Sequence, residues 1–208
     1  MKCSLLNHPL RNSISLQLKL HPLLAGLDDA AHAALLGIMT VHEVHRGERL
    51  LEQGSRELSQ FLVLDGLLKR VVTSANGREM TLRFAGERDM ESCYEAWQQG
   101  GASGFSIVGA SAGLVVSLSM SDWCEVLERH ACVQRAFQHR MVLIGAAIVE
   151  HAVGLLLLDA PSRVQQFSCK HRELVERLPH KDLASYLNLS AETFCRVTRR
   201  HRPAAQVA

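Results

Sequence analysis

The residues whose types and spacing could do most chemistry lie in LPHKDLASYLNLSAETFCRVTRR, positions 178 to 200. Ala191, Glu192, Cys195, Arg196 and Arg199 recur at helical steps and make one exposed stripe on a helix. The chemistry suits DNA. Glu192 can accept from a cytosine amino group, and Arg196 can donate to guanine O6 and N7. Ser190, Thr193, Lys181 and the helix N-terminus can hold phosphates.

The elements that must position this stripe follow from the apolar residues behind it. Counted from His180, the residues Leu183, Ala184, Leu187, Leu189, Phe194 and Val197 form the inward face of two short helices joined by a tight turn. Ala184 leaves room for the helices to cross, and Asn188 enters the left-handed region cheaply at the corner. Ser190 is the N-cap of the second helix, with Glu192 and Thr193 in its first turn. A helix-turn-helix lays such a stripe in the major groove. The plain alternative is an amphipathic helix pair with a solvated basic face, but the corner, the small crossing residue and the polar stripe all agree on the first.

Charge is distributed accordingly. Residues 1 to 162 carry 14 Lys+Arg against 17 Asp+Glu, whereas residues 163 to 208 carry 9 against 4, with His171, His180 and His201 in reserve. A basic C-terminal end suits a polyanion partner. The six cysteines, at 3, 93, 124, 132, 169 and 195, include no CxxC pair, which disfavours a disulfide framework or a zinc knuckle and fits reduced cytoplasmic thiols. No Gly-x-Ser-x-Gly, Walker loop or His-Glu-x-x-His occurs, so the chain is read as a non-enzyme with no metal site. Asn7, His8, Arg11 and Asn12 interrupt any signal-peptide core. The apolar run at 141 to 158 has Glu150 and His151 at its centre, where ionisable groups are expensive in lipid, so a soluble helix is predicted there rather than a membrane span.

Three regions precede or include the stripe. In residues 1 to 120, LDDAAHAALLGIM (27 to 39) predicts a leading helix capped by Asp28 or Asp29, with Ala31, Leu35 and Ile38 at helical intervals. Short β-rich runs then extend from Val41 to Ser119 and imply a compact antiparallel barrel or sandwich; Asn76-Gly77 favours a tight hairpin turn with positive φ. In residues 121 to 159 the period returns to that of a helix. Phe137, Met141, Ile144, Ile148, His151, Leu155 and Leu158 have the spacing of a coiled-coil seam, which predicts a parallel two-fold pair in which His151 faces its mate; a helix packed on its own domain fits the same spacing. Residues 160 to 208 hold the helix-turn-helix.

From about Leu24 to Arg200 the sequence resembles the CRP/FNR family of bacterial transcription regulators. HRGERLLEQGSRELSQFLVLDGLLKRVVTSANGREMTLRFAGE resembles the family's effector-domain β-roll, with Gly47-Glu48, Glu52-Gln53-Gly54 and Gly66 in place. VGLLLLDAPSRVQQF (153 to 167) is similar to the end of its dimerisation helix and the hinge, and SAETFCRV to its recognition helix. The resemblance implies an α+β chain with a cyclic-nucleotide-binding-like β-roll, a long dimerisation helix and a C-terminal helix-turn-helix. It implies a cytoplasmic homodimer that reads a palindrome with half-sites about 34 Å apart and works with RNA polymerase.

Departures from the family pattern carry expectations of their own. Glu91 stands for the acidic residue of the cyclic-nucleotide site, but Gly104-Phe105 occupy the Arg-Ser/Thr place and Ile148-Val149 the hydroxyl pair, so cyclic AMP is disfavoured. Only Cys3 lies where iron-sulfur members cluster three cysteines, so that cofactor is disfavoured too. Haem, drawing on His42, His45, His151 or Cys93, stays open beside scattered surface histidines, and the effector is unknown. Glu91, Cys93, Tyr94, His151 and Cys195 are the candidate effector or redox residues. Ala191 replaces the guanine-reading arginine, and Glu192, Cys195 and Arg196 are closer to the FNR-like branch. RRHRPAAQVA has no strand pattern, so a β-hairpin wing is not expected. Two functions follow: a sequence-specific regulator under effector or redox control, or a dimeric sensing module with a weakened DNA-binding end. Cys195 is a redox switch or simply a small residue in the place of serine.

Overall fold

A computed structural model describes residues 2–201, with side chains through Arg199. A short strand β1 (Lys2–Ser4) and a 3-10 turn lead into α1 (Arg11–Lys19) and α2 (Asp29–Ile38). Asp28 caps α2, its carboxylate accepting from Ala31 N at 2.8 Å. The helix turns His32 and Leu35 inward, while Ile38 is 46% exposed, so its buried face is rotated from the one read in the sequence. The sequence reading left α1 unassigned because only Ile14 and Leu18 mark its inner face.

Eight further strands follow: β2 (Thr40–Val44), β3 (Arg49–Leu51), β4 (Ser59–Asp65), β5 (Leu68–Thr73), β6 (Glu79–Ala85), β7 (Met90–Ser92), β8 (Ser106–Gly109) and β9 (Gly113–Ser119). They pair antiparallel in two sheets, ordered β1-β2-β9-β4-β7 and β3-β8-β5-β6, which make a β-roll. Strand β4 is buried on both faces, with Phe61 and Val63 on one side and Leu62, beside its cross-strand partner Val116, on the other. Gly66, at φ +82°, tolerates no side chain, because a Cβ there would sit 2.4 Å from Ala112 O. At the β5–β6 turn Ser74 N bonds to Arg78 O at 2.9 Å and the positive φ falls on Gly77 alone. Three residues thus lie between the paired ends, with glycine in the left-handed position, instead of a two-residue Asn-Gly turn.

After the short α3 (Tyr94–Gln98), Ser119 caps α4 (Met120–Arg129), and α5 runs from Ala131 to Leu157. At 27 residues α5 is about 40 Å long. By length and composition it is apolar enough to cross a membrane. Two of its inner side chains, Phe137 and Ile144, are buried in the roll core, where Phe137 meets Trp123 and Tyr94 edge-on at 5.5 and 5.1 Å.

The seam read from the sequence is therefore corrected. Phe137, Met141, Ile144 and Ile148 pack against the roll of their own chain, His151 stacks on Tyr186, and Leu155 and Leu158 are half-buried where the next helix begins. The exposed apolar face holds Val142, Val149, Val153 and Leu156, at 68, 63, 46 and 83% exposure, flanked by Leu143 and Leu157. Both stripes fit a heptad step, and a period alone does not say which neighbour a face meets.

Asp159 caps α6 (Ala160–Lys170), which is followed by α7 (Arg172–Arg177), α8 (His180–Tyr186) and α9 (Ala191–His201). Their core holds Val164, Phe167, Leu178, Leu183, Phe194 and Val197, and it continues onto Phe84 of the four-stranded sheet and onto Leu67 and Ala110 at the ends of its neighbouring strands. The wing question concerns residues 202–208 and lies outside the described residues.

Candidate nucleic-acid interface

Helix α8 ends in a Schellman arrangement. Leu189 N bonds to Ala184 O at 2.9 Å and Asn188 N to Ser185 O at 3.2 Å, with Asn188 at φ 52°. Ala184 is buried at the crossing, as its size requires. Ser190 Oγ accepts from Thr193 N at 3.1 Å and donates to Thr193 Oγ1 at 2.9 Å, so the cap uses Ser190 fully and leaves the Thr193 hydroxyl proton for an outside acceptor. Ala191, Glu192, Arg196 and Arg199 are exposed on one side of α9, with Lys181 exposed on α8. Cys195 is half-buried, and its Sγ lies 3.4 Å from His180 Nδ1, a partner the sequence reading did not find.

The same helices are fastened to the roll. Asp182, 5% exposed, takes Lys69 Nζ at 2.6 Å and Arg46 at 3.2 Å. Thr81 N donates to Ser185 Oγ at 3.1 Å, Arg78 to Asn188 Oδ1 at 2.6 Å, and Arg177 of α7 to Glu87. The bond from Arg177 holds the Glu87 carboxyl below its ordinary range.

Inside the roll, Glu91 is fully buried between two arginines. Arg70 Nε and Nη2 both donate to its Oε2, at 3.0 and 2.6 Å, and Arg83 donates to Oε1. Arg70 and Arg83 are direct cross-strand partners on β5 and β6, so the two cations would repel without the carboxylate between them. Arg70 also lies 4.0 Å over the ring of Phe105, the residue read as standing in the phosphate-binding place. Arginines missed in the sequence thus supply cations, but Glu91 uses both. Arg83 reaches on to Asp89, which takes Arg140 of α5 at 2.6 Å.

The other sensor candidates are each engaged. Cys93 contacts Ser103 Oγ at 3.7 Å, and burial pushes its thiol up to about 11, which opposes a thiolate role. Tyr94 packs on Phe137. His151 does not wait for a symmetry mate: it stacks on Tyr186 at 3.8 Å and bonds to Tyr186 O at 2.9 Å, and burial lowers its pKa more than that carbonyl raises it. His42 bonds to Ser117 Oγ at 2.7 Å. His42, His151 and Cys93 each meet a different partner. Among the described residues no group of three or more His, Cys, Asp and Glu is placed to hold a metal ion.

No family model and no curated protein matches the sequence. Solved structures match the fold. FixK2 from Bradyrhizobium japonicum aligns over 78% of this chain and 84% of its own, at TM-score 0.67 and 18% identity. The c-di-GMP responsive regulator CLP of Xanthomonas campestris aligns over 83% and 91%, at TM-score 0.67 and 13% identity. A crp/fnr-family regulator from Eubacterium rectale aligns over 93% and 86%, at TM-score 0.65 and 16% identity. The chain has the fold of these regulators: an antiparallel β-roll, a long helix and a helix-turn-helix.

Proposed function

We propose that this chain is a sequence-specific DNA-binding transcription regulator of the CRP/FNR kind, working in the cytoplasm as a homodimer under effector control. The observation that carries the reading is the α8–α9 corner. A Schellman turn and a serine cap fix α9 so that Glu192, Arg196 and Arg199 face outward together beside Lys181. The fold shared with FixK2 and CLP supports it. Dimerisation is assigned to the exposed face of α5 around Val149, Val153 and Leu156, which a second copy would cover in two-fold fashion. Glu192 and Arg196 read bases in the manner of the FNR-like branch, Lys181 and Arg199 hold phosphates, and RNA polymerase is the downstream partner. The paired state of Glu91 supports an effector other than cyclic AMP.

Selection of bound duplexes from a random pool, followed by anisotropy titration against salt, tests this. A palindromic site is expected, with sedimentation reporting a dimer. Arg196→Ala should cost about 1 to 3 kcal/mol on that site and relax one base pair, whereas Lys181→Ala should weaken all duplexes alike. Equal losses on specific and random DNA for both variants would break the division of roles. Failure to enrich any sequence would favour a sensing module with a weakened DNA-binding end.

A further inference from the structure

Where the roll, the long helix and the DNA-binding domain meet, a cavity of about 260 Å³ opens between β6, α5, α6 and the end of α8. This is room for several waters, or for one small aromatic molecule of two or three rings. One wall is aromatic. Phe84 and Phe167 each lie 5.4 Å from the ring of Tyr186, and His151 stacks on that ring at 3.8 Å. The remaining walls carry cations, and three of them have carboxylate partners: Arg83 and Arg140 share Asp89, and Lys170 meets Glu150 at 2.6 Å.

Arg163 is the exception. Its Nη1 donates to Leu155 O at 3.1 Å and Leu158 O at 3.4 Å, and its Nε is buried with no partner. Among the described residues no carboxylate comes within ion-pair distance of it, and Asp159 acts on it only from farther off. A buried donor left unmade is costly, and an anion from outside would relieve it. The neighbouring His151 and His171 are held toward the neutral form by burial and do not add charge near neutral pH.

We propose that this cavity is the effector site, and that its ligand is an aromatic monoanion with its rings against Phe84, Phe167 and Tyr186 and its acid group on Arg163. The proposal rests on the reading of the chain as an effector-responsive regulator. Such a ligand would touch the roll, α5 and the last residue of α8 together, so it would favour one arrangement of the sensor and DNA-binding domains over others. The roll interior offers no such handle, because Glu91 already occupies its two arginines.

The probe is 8-anilino-1-naphthalenesulfonate, an aromatic monoanion that fluoresces in apolar surroundings, titrated into the full chain. Gly154 lines the cavity, and a Cβ there would meet no atom closer than 3.9 Å, so Gly154→Leu grows into the space while improving helix propensity. Saturable binding is expected to weaken about tenfold in Gly154→Leu and in Arg163→Gln. The neutral analogue N-phenyl-1-naphthylamine should bind native protein and Arg163→Gln alike. Leu16→Ser, at an exposed apolar residue of α1 outside the cavity lining, should bind the probe like the native chain. Equal probe affinity in native protein, Gly154→Leu and Arg163→Gln overturns the proposal, as does loss of binding in Leu16→Ser alone. DNA selection is read separately: probe binding at the cavity without DNA binding sinks only the regulator reading, and DNA binding without a cavity-dependent probe site sinks only this one.

Discussion

Lys69 and Arg70 are neighbours on β5, and the pleat sends them to opposite faces of the sheet. Arg70 turns into the roll to hold Glu91, while Lys69 turns outward to hold Asp182 of α8. Each carboxylate is buried and each is gripped by two cations, yet the consequences differ. Around Glu91 all partners belong to one domain, and Arg70, Arg83 and Glu91 are each less than 9% exposed. Around Asp182 the partners belong to the other domain, and Arg46 is 54% exposed, so water or a phosphate can replace what Asp182 provides. The same chemistry makes a fixed strut in one place and a releasable latch in the other.

The sharpest way to break this comparison is at Glu91. Glu91→Gln leaves Arg70 and Arg83 opposite each other without their anion, which should cost about 3 to 5 kcal/mol of roll stability in urea unfolding. A loss no larger than at Asp182 would show that the strut is not one. Next comes acid. Burial lowers the pKa values of His21 and His42 to about 4, so both are neutral in the folded roll, and His21 Nδ1 accepts from Leu23 N at 3.2 Å. The unfolded chain takes up these protons near pH 6.5 and the folded chain only near 4, so stability is complete above 6.5 and falls toward pH 4, by about 3 kcal/mol for each histidine. Stability curves from pH 7.5 to 4 check the slope, and His21→Asn should flatten it.

At the latch a smaller and more local effect is expected. Asp182→Asn removes the charge that Lys69 and Arg46 share, at a cost of about 1 to 2 kcal/mol, because Arg46 regains water and the domains can part without unfolding. Hydrogen exchange should quicken in α8 and leave β7 and β9 unchanged. Equal acceleration in the roll would mean that latch and strut are one cooperative unit.

The two regions also differed in how far the sequence revealed them. The α8–α9 corner depends on residues within a few positions of one another, so Ala184, Asn188 and Ser190 could be placed by local rules alone. The Glu91 cluster depends on the register that puts Arg70 opposite Arg83 and brings β7 beside β4, which no local pattern states. For α5 the difficulty was surplus: a helix apolar on most sides offers two heptad stripes, and the roll took Phe137 and Ile144 while Val149 and Leu156 stayed outside. The fastening of Asp182 was invisible for the same reason as the Glu91 cluster, since its partners lie 113 and 136 positions away.

The finest test of the releasable side lies at Cys195, on the far side of α8 from the latch. Its Sγ sits 3.4 Å from His180 Nδ1, and it lines, with Cys169, an open groove between α6, α7 and α9. A sulfenic or sulfinic acid there would break the contact with His180 and add bulk one residue before Arg196, tilting α9. Because Cys195 is half-buried and beside the side chains proposed to read bases, the loss should be modest, about 1 kcal/mol or roughly fivefold in affinity for the selected DNA site. Mild peroxide should produce it in the native chain and in Cys169→Ser, and not in Cys195→Ser. If Cys195→Ser loses affinity as the native chain does, the thiol is only a small residue at that position; if Cys169→Ser alone is protected, the groove reacts through its other cysteine.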